Sequence, residues 1–204
     1  MATDSENSVY QIKVTLEGIR PAIWRRLLVP ASIALESLHD VLQVAFGWTD
    51  SHLHGFEARG VHYGPAASEL GTGQLDEERV PLQEVLRKPK DTMNYEYDFG
   101  DSWLHKLVLE KVLPNAESQF TLSCVAGERA CPPEDSGGAW RYAELLRALS
   151  DPSNIEYAEM LEWIGDDFDP ERFDLAEVNR ILAAMKRGGL TTRSRATGRK
   201  RRER

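Results

Sequence analysis

Two aspartates and a histidine with the potential for chemistry stand in the segment from Tyr95 to His105. Asp98 and Asp101 flank Gly100, and alternating aromatic residues predict two strands joined by a turn. Gly100 permits a positive φ or a bulge, which would aim both carboxylates at one spot near the histidine. Carboxylates beside an imidazole suit a divalent cation or general acid–base chemistry. Simple turn chemistry explains Gly100 and Asp101, but it leaves Asp98 and His105 unexplained.

The sequence His52-Leu53-His54 is a second candidate site. Residues two apart on a strand point to the same side, so a strand here would let both imidazoles share one metal ion or ligand. The alternative is a pair of exposed histidines on a strand edge, which predicts no metal.

Glu134 and Asp135 follow two prolines and precede Gly137 and Gly138. The prolines stiffen the approach, and the glycines let the backbone come close to a neighbour or a ligand. The N–H groups that lead into the next helix could bind an anion, but acids at a helix start also favour its dipole. Both interpretations stay open. In a metal-dependent hydrolase, Glu134 or Asp135 would be the base.

These segments and the aromatic residues near them predict one polar pocket. We expect it to bind a small ligand, a divalent metal or a protein partner. The residues expected to line it are Trp48, His52, His54, Tyr97, Asp98, Asp101, Trp103, His105, Glu134 and Asp135. The candidate metal ligands among them are His52, His54, Asp98, Asp101 and His105.

The elements that must position these residues run from strands to helices. Alternating hydrophobicity predicts strands over residues 9–16, 23–29, 51–58, 61–63, 92–99, 103–113 and 120–126. Apolar spacings of three and four, with capping and turn residues, predict helices over residues 35–46, 82–86, 140–149, 155–164 and 175–185. This order predicts an α+β fold with a mainly antiparallel sheet, one N-terminal helix packed on it and a C-terminal cluster of three helices. We divide the chain into a flexible N-terminus (1–8), a single domain (9–187) and a disordered basic tail (188–204).

Three expectations concern packing. His39 lies in the helix at 35–46, has no obvious partner and is expected on the surface. Arg25 and Arg26 are expected on a solvated face or in ion pairs with acidic residues. Residues 64–79, which are rich in Gly, Ser and acids, are expected to form an exposed loop.

Charge is unevenly distributed along the 204 residues. Residues 186–204 contain nine basic residues and one acid, whereas the first 185 contain 16 basic and 32 acidic residues. The acidic body would attract cations and repel nucleic acid, and the basic tail would do the reverse. The tail has no interleaved aromatic residues, so it could bind nucleic acid or an acidic surface without base stacking. Its densest basic run is Arg199, Lys200, Arg201 and Arg202.

Composition and motifs narrow the function classes. The chain has no run of about 18 apolar residues, and its first eight residues do not resemble a signal peptide, so a cytoplasmic location is expected. It also lacks a phosphate-binding loop, a Gly-x-Ser-x-Gly motif and a dinucleotide fingerprint. Cys124 and Cys131 have no second Cys or His pair close by, which favours buried thiols over a zinc site.

Four segments carry a resemblance to a known family. They are Ile23-Trp24-Arg25-Arg26, Phe46-Gly47-Trp48 with His52-Leu53-His54-x-Phe56, Tyr95-x-Tyr97-Asp98-Phe99-Gly100-Asp101-x-Trp103-x-His105, and the run from Gly127 to Gly138. These motifs resemble those of the plasmid pRiA4b ORF-3-like family, over about Val9 to Met185. The resemblance implies a compact α+β domain associated with plasmids and mobile elements, with no established activity. Many relatives have cysteine where this chain has Ser136, so a cysteine-based zinc site would lack one ligand here.

Three functions remain, in order of preference. The first is a binding or regulatory module whose pocket holds a small ligand, a metal or a peptide. The second is a metal-dependent hydrolase in which a metal-bound water is the nucleophile. The third is a nucleic-acid-associated protein that acts through the basic tail. A likeness without known chemistry favours the binding module over the enzyme.

Overall fold

Strands and helices form largely where hydrophobic periodicity predicts them. The computed structural model describes residues 8–66, 73–114, 122–165 and 168–187. The strands are β1 (Ser8–Leu16), β2 (Ile23–Pro30), β3 (His54–Ala58), β4 (Val61–Gly64), β5 (Leu75–Asp76), β6 (Thr92–Tyr97), β7 (Trp103–Pro114) and β8 (Ser123–Glu128). The helices are α1 (Leu35–Phe46), α2 (Leu82–Val85), α3 (Gly138–Leu149), α4 (Tyr157–Ile164) and α5 (Leu175–Arg187), with a 3₁₀ turn at Glu77–Arg79. The basic run at 199–202 lies outside the described residues.

The strands form one mostly antiparallel sheet of eight strands, which confirms the predicted α+β class. Their order is β5-β4-β3-β6-β7-β1-β2-β8, and β4 and β5 pair in parallel. β7 lies between β6 and β1, and its residues alternate between the core and the outer face. The β6–β7 hairpin therefore carries the Tyr95–His105 segment into the middle of the sheet and leaves its turn at one end.

Helix α1 packs its apolar stripe into the same core as the inner face of the sheet. Leu35, Leu38 and Leu42 are buried in that core, together with Tyr142 of α3 and Leu182 of α5. α3 lies beside α4, and α5 lies against β8 and α1. Each helix in the described ranges is too short or too polar to cross a membrane.

The prediction of an exposed loop over residues 64–79 is wrong at its C-terminal end. β5 pairs with β4, and the 3₁₀ turn follows it directly. The Asp76 carboxylate caps this turn by accepting the backbone N–H of Glu78 at 3.1 Å. As a result Glu77 is only 2% exposed. A two-residue strand is too short to show an alternating pattern, so hydrophobic periodicity does not predict β5.

Arg25 is buried, contrary to expectation. Its guanidinium donates to the carbonyl oxygens of Ala45, Glu128 and Arg129, each at 2.8 Å. It also lies over the ring of Phe173, with 3.9 Å between the guanidinium carbon and the ring centroid. Arginine has several donors in a rigid fork, so backbone carbonyls can satisfy it without a carboxylate. Arg25 thereby joins β2, α1 and the end of β8.

Arg26, on the opposite face of β2, behaves as expected. Its side chain forms an ion pair with Glu110 on β7, with 2.7 Å between Nε and Oε2.

Candidate functional site

The turn between β6 and β7 holds Asp98 with a left-handed backbone, at φ 56°. Its Oδ1 accepts the backbone N–H of Gly100 at 2.9 Å and that of Asp101 at 3.3 Å. The Asp98 N–H donates to the carbonyl oxygen of Leu53 at 2.9 Å, which ties the turn to the segment before β3. The turn therefore uses one carboxylate oxygen of Asp98, while Oδ2 lies 3.7 Å from Nε2 of His52.

Residues 131–138, called the Glu-Asp loop below, are fastened near both ends. On one side, Nε1 of Trp48 donates to the carbonyl oxygen of Pro132 at 3.1 Å. On the other side, the backbone N–H of Gly137 donates to Oδ2 of Asp101 at 2.8 Å. The hairpin turn and the segment after α1 thus fix the position of the loop.

Close packing and backbone conformation set the middle of the Glu-Asp loop. Gly138 has to be glycine, because a Cβ there would lie 2.6 Å from the carbonyl oxygen of Asp101. Asp135 has a φ of 58°, and its side chain is 77% exposed. A left-handed backbone at a residue other than glycine is uncommon and is concentrated at functional sites.

Glu134 anchors the loop. Its carboxylate accepts the Tyr97 hydroxyl at 2.6 Å, the Thr49 N–H at 3.0 Å and the Thr49 hydroxyl at 2.6 Å. Burial by itself would raise the pKa of Glu134, but the hydrogen bonds from Thr49 and Tyr97 outweigh burial and lower it. A carboxylate that three donors hold ionised is a weak proton acceptor.

His52, Asp98 and Asp135, called the cleft triad below, each bring one ligand atom within 4.8 Å of the other two. Nε2 of His52 lies 3.2 Å from Oδ1 of Asp135 and 3.7 Å from Oδ2 of Asp98. Ligand atoms around a tetrahedral zinc ion, with bonds of 2.0–2.2 Å, lie about 3.3–3.6 Å apart. The three side chains are thus close to ligand spacing.

One nitrogen of the cleft triad is left without a hydrogen bond. Nε2 of His52 is buried, and no acceptor meets hydrogen-bond geometry with it, although two carboxylates lie nearby. Buried polar atoms nearly always have a partner. A cation placed between His52, Asp98 and Asp135 would supply one.

The expectation that His52 and His54 face the same side of a strand is wrong, because β3 begins only at His54. Nε2 of His54 donates to the Glu77 carboxylate, 3.1 Å from Oε1. The His54 ring stacks on His39, with 3.5 Å between centroids and 5° between planes. His39, Asp50, His54 and Glu77 are called the histidine stack below. Of these, one ligand atom from each of His39, Asp50 and His54 also falls within 4.8 Å of the others.

Hydrogen bonds fix the proton positions around His39. Oε1 of Gln43 accepts the Asp50 N–H at 2.9 Å, so the Gln43 amide N–H faces Tyr95 and donates to its hydroxyl at 3.0 Å. Tyr95 then donates to Nδ1 of His39 at 2.8 Å, which leaves the imidazole proton on Nε2, 3.0 Å from Oδ1 of Asp50. Burial lowers the pKa of His39, and Asp50 opposes that shift. His39 is therefore neutral and buried, not on the surface as expected.

His105 lies in the core beneath the site. It is 0% exposed and packs edge-on against the rings of Phe46 and Trp48. Its Nδ1 is 3.3 Å from the carbonyl oxygen of Tyr95, and burial lowers its pKa to about 3. Among the described residues, His105 belongs to no group of three potential metal ligands.

The predicted pocket residues therefore separate into four places. The cleft triad contains His52, Asp98 and Asp135. The contacts that hold the Glu-Asp loop involve Trp48, Tyr97, Asp101 and Glu134. The core beneath the site contains Trp103 and His105, and the histidine stack contains His54.

Sequence reasoning missed Thr49 and most of the histidine stack. His39 did carry a signal, because it lies four residues after Leu35 and three before Leu42, within the apolar stripe of α1. Glu77 carried none, since its burial depends on the short pairing of β5.

The two cysteines take no part in either group. Cys124 and Cys131 are free, and burial raises the pKa of both thiols. A buried, protonated thiol is a poor metal ligand and a poor nucleophile.

A cleft of about 610 Å³ opens beside the cleft triad and is lined by residues of the Glu-Asp loop, α3 and α4. Asp135, Arg141 and Trp163 are among its lining residues. Another cleft, of about 590 Å³, is lined largely by residues of β3, β4, β6 and the start of β7 and includes no residue of the triad. Asp135 is the residue that the first cleft shares with the cleft triad.

Comparison with known proteins places the chain in a family. The family model for plasmid pRiA4b ORF-3-like proteins matches residues 8–177. Uncharacterized protein y4hQ of Sinorhizobium fredii (strain NBRC 101917 / NGR234) is 40% identical over 177 residues, which cover 86% of this chain and 91% of y4hQ. The crystal structure of MM3350, a protein of unknown function from Methanosarcina mazei Go1, is 40% identical, covers 82% of this chain and 96% of its own, and aligns with a TM-score of 0.75. The chain therefore belongs to the plasmid pRiA4b ORF-3-like family.

Proposed function

We propose that this protein is a cation-dependent binding module in which the cleft triad holds one divalent cation. The observation that supports this best is the buried Nε2 of His52, which has no hydrogen bond and faces two carboxylates near ligand spacing. Imidazole suits zinc, and carboxylate suits both manganese and zinc. One histidine with two aspartates therefore favours Zn²⁺ or Mn²⁺.

Three protein ligands leave at least one coordination position for a ligand from solvent. Asp135 is exposed and also lines the neighbouring cleft, so the open position would face that space. A small ligand or the side chain of a partner could complete the coordination shell there. In this role the cation joins the hairpin turn, the Glu-Asp loop and the bound ligand.

The electrostatic environment supports a cation. Asp101 and Glu134 flank the triad, so the hairpin turn and the Glu-Asp loop bring four carboxylates to the surroundings of one imidazole. Such a concentration of negative charge attracts cations and raises their local concentration.

The same open position supports a second candidate, a metal-dependent hydrolase that uses a metal-bound water. The two residues predicted as its base have other roles in this arrangement. Glu134 accepts three hydrogen bonds, and Asp135 would be a cation ligand. The binding module is therefore better supported. Turnover of p-nitrophenyl phosphate or p-nitrophenyl acetate by the cation-loaded protein, abolished by Asp98→Asn, would favour the hydrolase instead.

Calorimetric titration of the metal-free protein with Zn²⁺ and, separately, with Mn²⁺ tests the cation site. We expect one tight equivalent of at least one of these ions. His52→Gln and Asp98→Asn should each weaken its affinity by more than about 100-fold, since each removes a direct ligand. His62→Gln, which alters an exposed histidine on β4, is the matched control and should bind like the unaltered protein. No binding, or equal binding by all three variants, would contradict the proposal.

A further inference from the structure

The cleft beside the triad has a basic side chain at the edge nearest Asp135. Arg141 of α3 lies across Gly137, where a Cβ would stand 2.7 Å from Cγ of Arg141 and 3.4 Å from its Nε. Gly137 has a φ of 83°, so this position favours glycine for its backbone conformation as well as for the lack of room for a Cβ. Gly137 is two residues from Asp135 in the Glu-Asp loop, and both residues line the same cleft as Arg141.

Arg141 forms no ion pair with a carboxylate among the described residues. In the described ranges, no acidic side chain lies within ion-pair distance of Arg141, nor of Arg147 further along the cleft. Both arginines are exposed and line the cleft. An unpaired guanidinium in a concave site has a donor fork that matches a carboxylate or a phosphate.

We propose that the cleft binds a small organic anion, a carboxylate or a phosphomonoester with an apolar body, whose oxygens bridge the triad-bound cation and Arg141. This inference rests on the proposed cation site. A divalent cation with an open position accepts an anionic oxygen readily, and Arg141 stands on the same side of Asp135 as the cleft. The anion would thus receive positive charge from two directions.

The other walls of the cleft restrict the rest of the ligand. Met160 lines it together with Trp163, which is 51% exposed, and these two residues offer an apolar surface. Glu144, Glu156 and Glu159 also line the cleft, so a polyanion such as nucleic acid would be repelled beyond its first anionic group. The volume of about 610 Å³ is in the range of small-molecule sites. A compact ligand with one anionic end fits all three features.

Calorimetry with the full chain, loaded with whichever cation it binds, tests this inference. The probes are phenyl phosphate and benzoate, and tighter binding of one over the other assigns the anionic group as phosphate or carboxylate. We expect Arg141→Gln to weaken the better probe by about 10- to 100-fold, the range for losing a hydrogen bond to a charged group, while cation affinity stays unchanged. Lys106→Gln, which removes an exposed basic side chain on β7 outside the cleft, is the control and should change probe affinity by less than about threefold.

The possible outcomes separate this inference from the cation site. If the cation binds but neither probe does, or if Arg141→Gln binds the better probe like the unaltered protein, the anion cleft is wrong and the cation site stands. If no cation binds, the proposed function fails, and this inference fails with it. Equal weakening by Arg141→Gln and Lys106→Gln would mean unspecific charge attraction, which also overturns the inference.

A further variant tests the apolar wall. Trp163→Ala should weaken phenyl phosphate by about 10-fold and leave inorganic phosphate unchanged, because only the former has a ring to pack against the indole. An equal loss of affinity for phenyl phosphate and for inorganic phosphate would overturn the assignment of an apolar body, since Trp163 would then affect the whole site.

Discussion

The cleft triad and the histidine stack each gather histidine and carboxylate side chains, yet they satisfy their polar atoms differently. Both contain three ligand atoms within 4.8 Å of one another. In the stack, both nitrogens of His39 have hydrogen-bond partners, and Nε2 of His54 bonds to Glu77. In the triad, Nε2 of His52 is buried without one. The triad therefore combines ligand spacing with an unpartnered nitrogen, whereas the stack has the spacing alone.

Ring geometry separates the two groups further. A metal ion lies close to the plane of an imidazole that binds it, at about 2.0–2.1 Å from the nitrogen. The rings of His39 and His54 are parallel, with centroids 3.5 Å apart, so one ion cannot lie near both planes at bonding distance. The stack is therefore held by hydrogen bonds, and the proposed cation belongs to the triad rather than to the stack.

One short segment supplies both groups. Asp50 and His54 contribute to the stack, while His52 between them contributes to the triad. The segment precedes β3 and has a left-handed residue at Asp50, with φ 56°, so a simple strand alternation does not govern it. Substitutions a few residues apart should thus have opposite effects on stability and on binding.

The largest expected effect is on the free energy of unfolding. His39→Ala removes a buried ring and leaves the Tyr95 hydroxyl without its acceptor, which should cost about 3 kcal/mol. His52→Ala should cost less than about 1 kcal/mol, because its ring is partly exposed and its Nε2 makes no hydrogen bond. Urea denaturation of both variants measures the difference. Equal costs would mean that the two regions do not differ as described.

A bound cation should stabilise the protein through the triad alone. At a free cation concentration 100 times the Kd, the free energy of unfolding should rise by about 2.7 kcal/mol. Asp98→Asn should abolish this gain, and Glu77→Gln should keep it, because Glu77 belongs to the stack. Thermal or urea unfolding with and without the cation checks both. A gain that persists in Asp98→Asn but disappears in Glu77→Gln would move the cation site into the stack.

Acid sensitivity should come from the buried histidines. The folded-state pKa of His105 is about 3, below its value of about 6.5 in an unfolded chain, so its contribution to stability is complete above pH ~6.5 and is lost as the pH falls toward 3. The loss should approach about 1.4 kcal/mol per pH unit for this residue. His105→Leu should flatten the dependence of unfolding free energy on pH between 6 and 4 relative to the unaltered protein. An unchanged slope would contradict the assignment of His105 to the core.

The smallest stability effect is expected at Asp135. Asp135→Gly relieves a left-handed backbone at an exposed position, so the free energy of unfolding should change by less than about 0.5 kcal/mol. Cation affinity should nevertheless fall by more than about 10-fold, because a ligand is lost. Lys90→Gly is the control, since Lys90 also has a positive φ, of 79°, but lies outside the site. A loss of cation affinity in both variants would point to a general backbone effect.

Much of the fold could be predicted, because hydrophobic periodicity is a local property. Alternation located β1, β2, β6 and β7, and the α1 stripe ended at Gly47, where the sequence predicts a helix stop. β5 could not be predicted, since it has only two residues, Leu75 and Asp76, and its position depends on pairing with Tyr63 and Gly64 of β4. Local hydrophobic patterns predict helices and longer strands, but they do not predict a short strand that depends on its pairing partner.

The site was only partly predictable for a related reason. Spacing marked His52, Asp98 and Asp135 as polar residues in unusual surroundings, but whether His52 shares a side with His54 depends on where β3 begins. The contacts of Glu134 with Thr49 and Tyr97 join segments that are far apart in sequence. Residue type indicated which side chains could bind a metal ion or transfer a proton. Only the tertiary packing decides which of those side chains lie together.

Anomalous diffraction at the zinc edge, from crystals grown with a small excess of Zn²⁺, is the most direct test of the cation site. We expect one strong anomalous peak among Nε2 of His52, Oδ2 of Asp98 and Oδ1 of Asp135, about 2.0–2.2 Å from each atom. The peak should disappear in Asp98→Asn crystals and remain in His62→Gln crystals. A peak in the histidine stack, or none at the triad, would contradict the assignment.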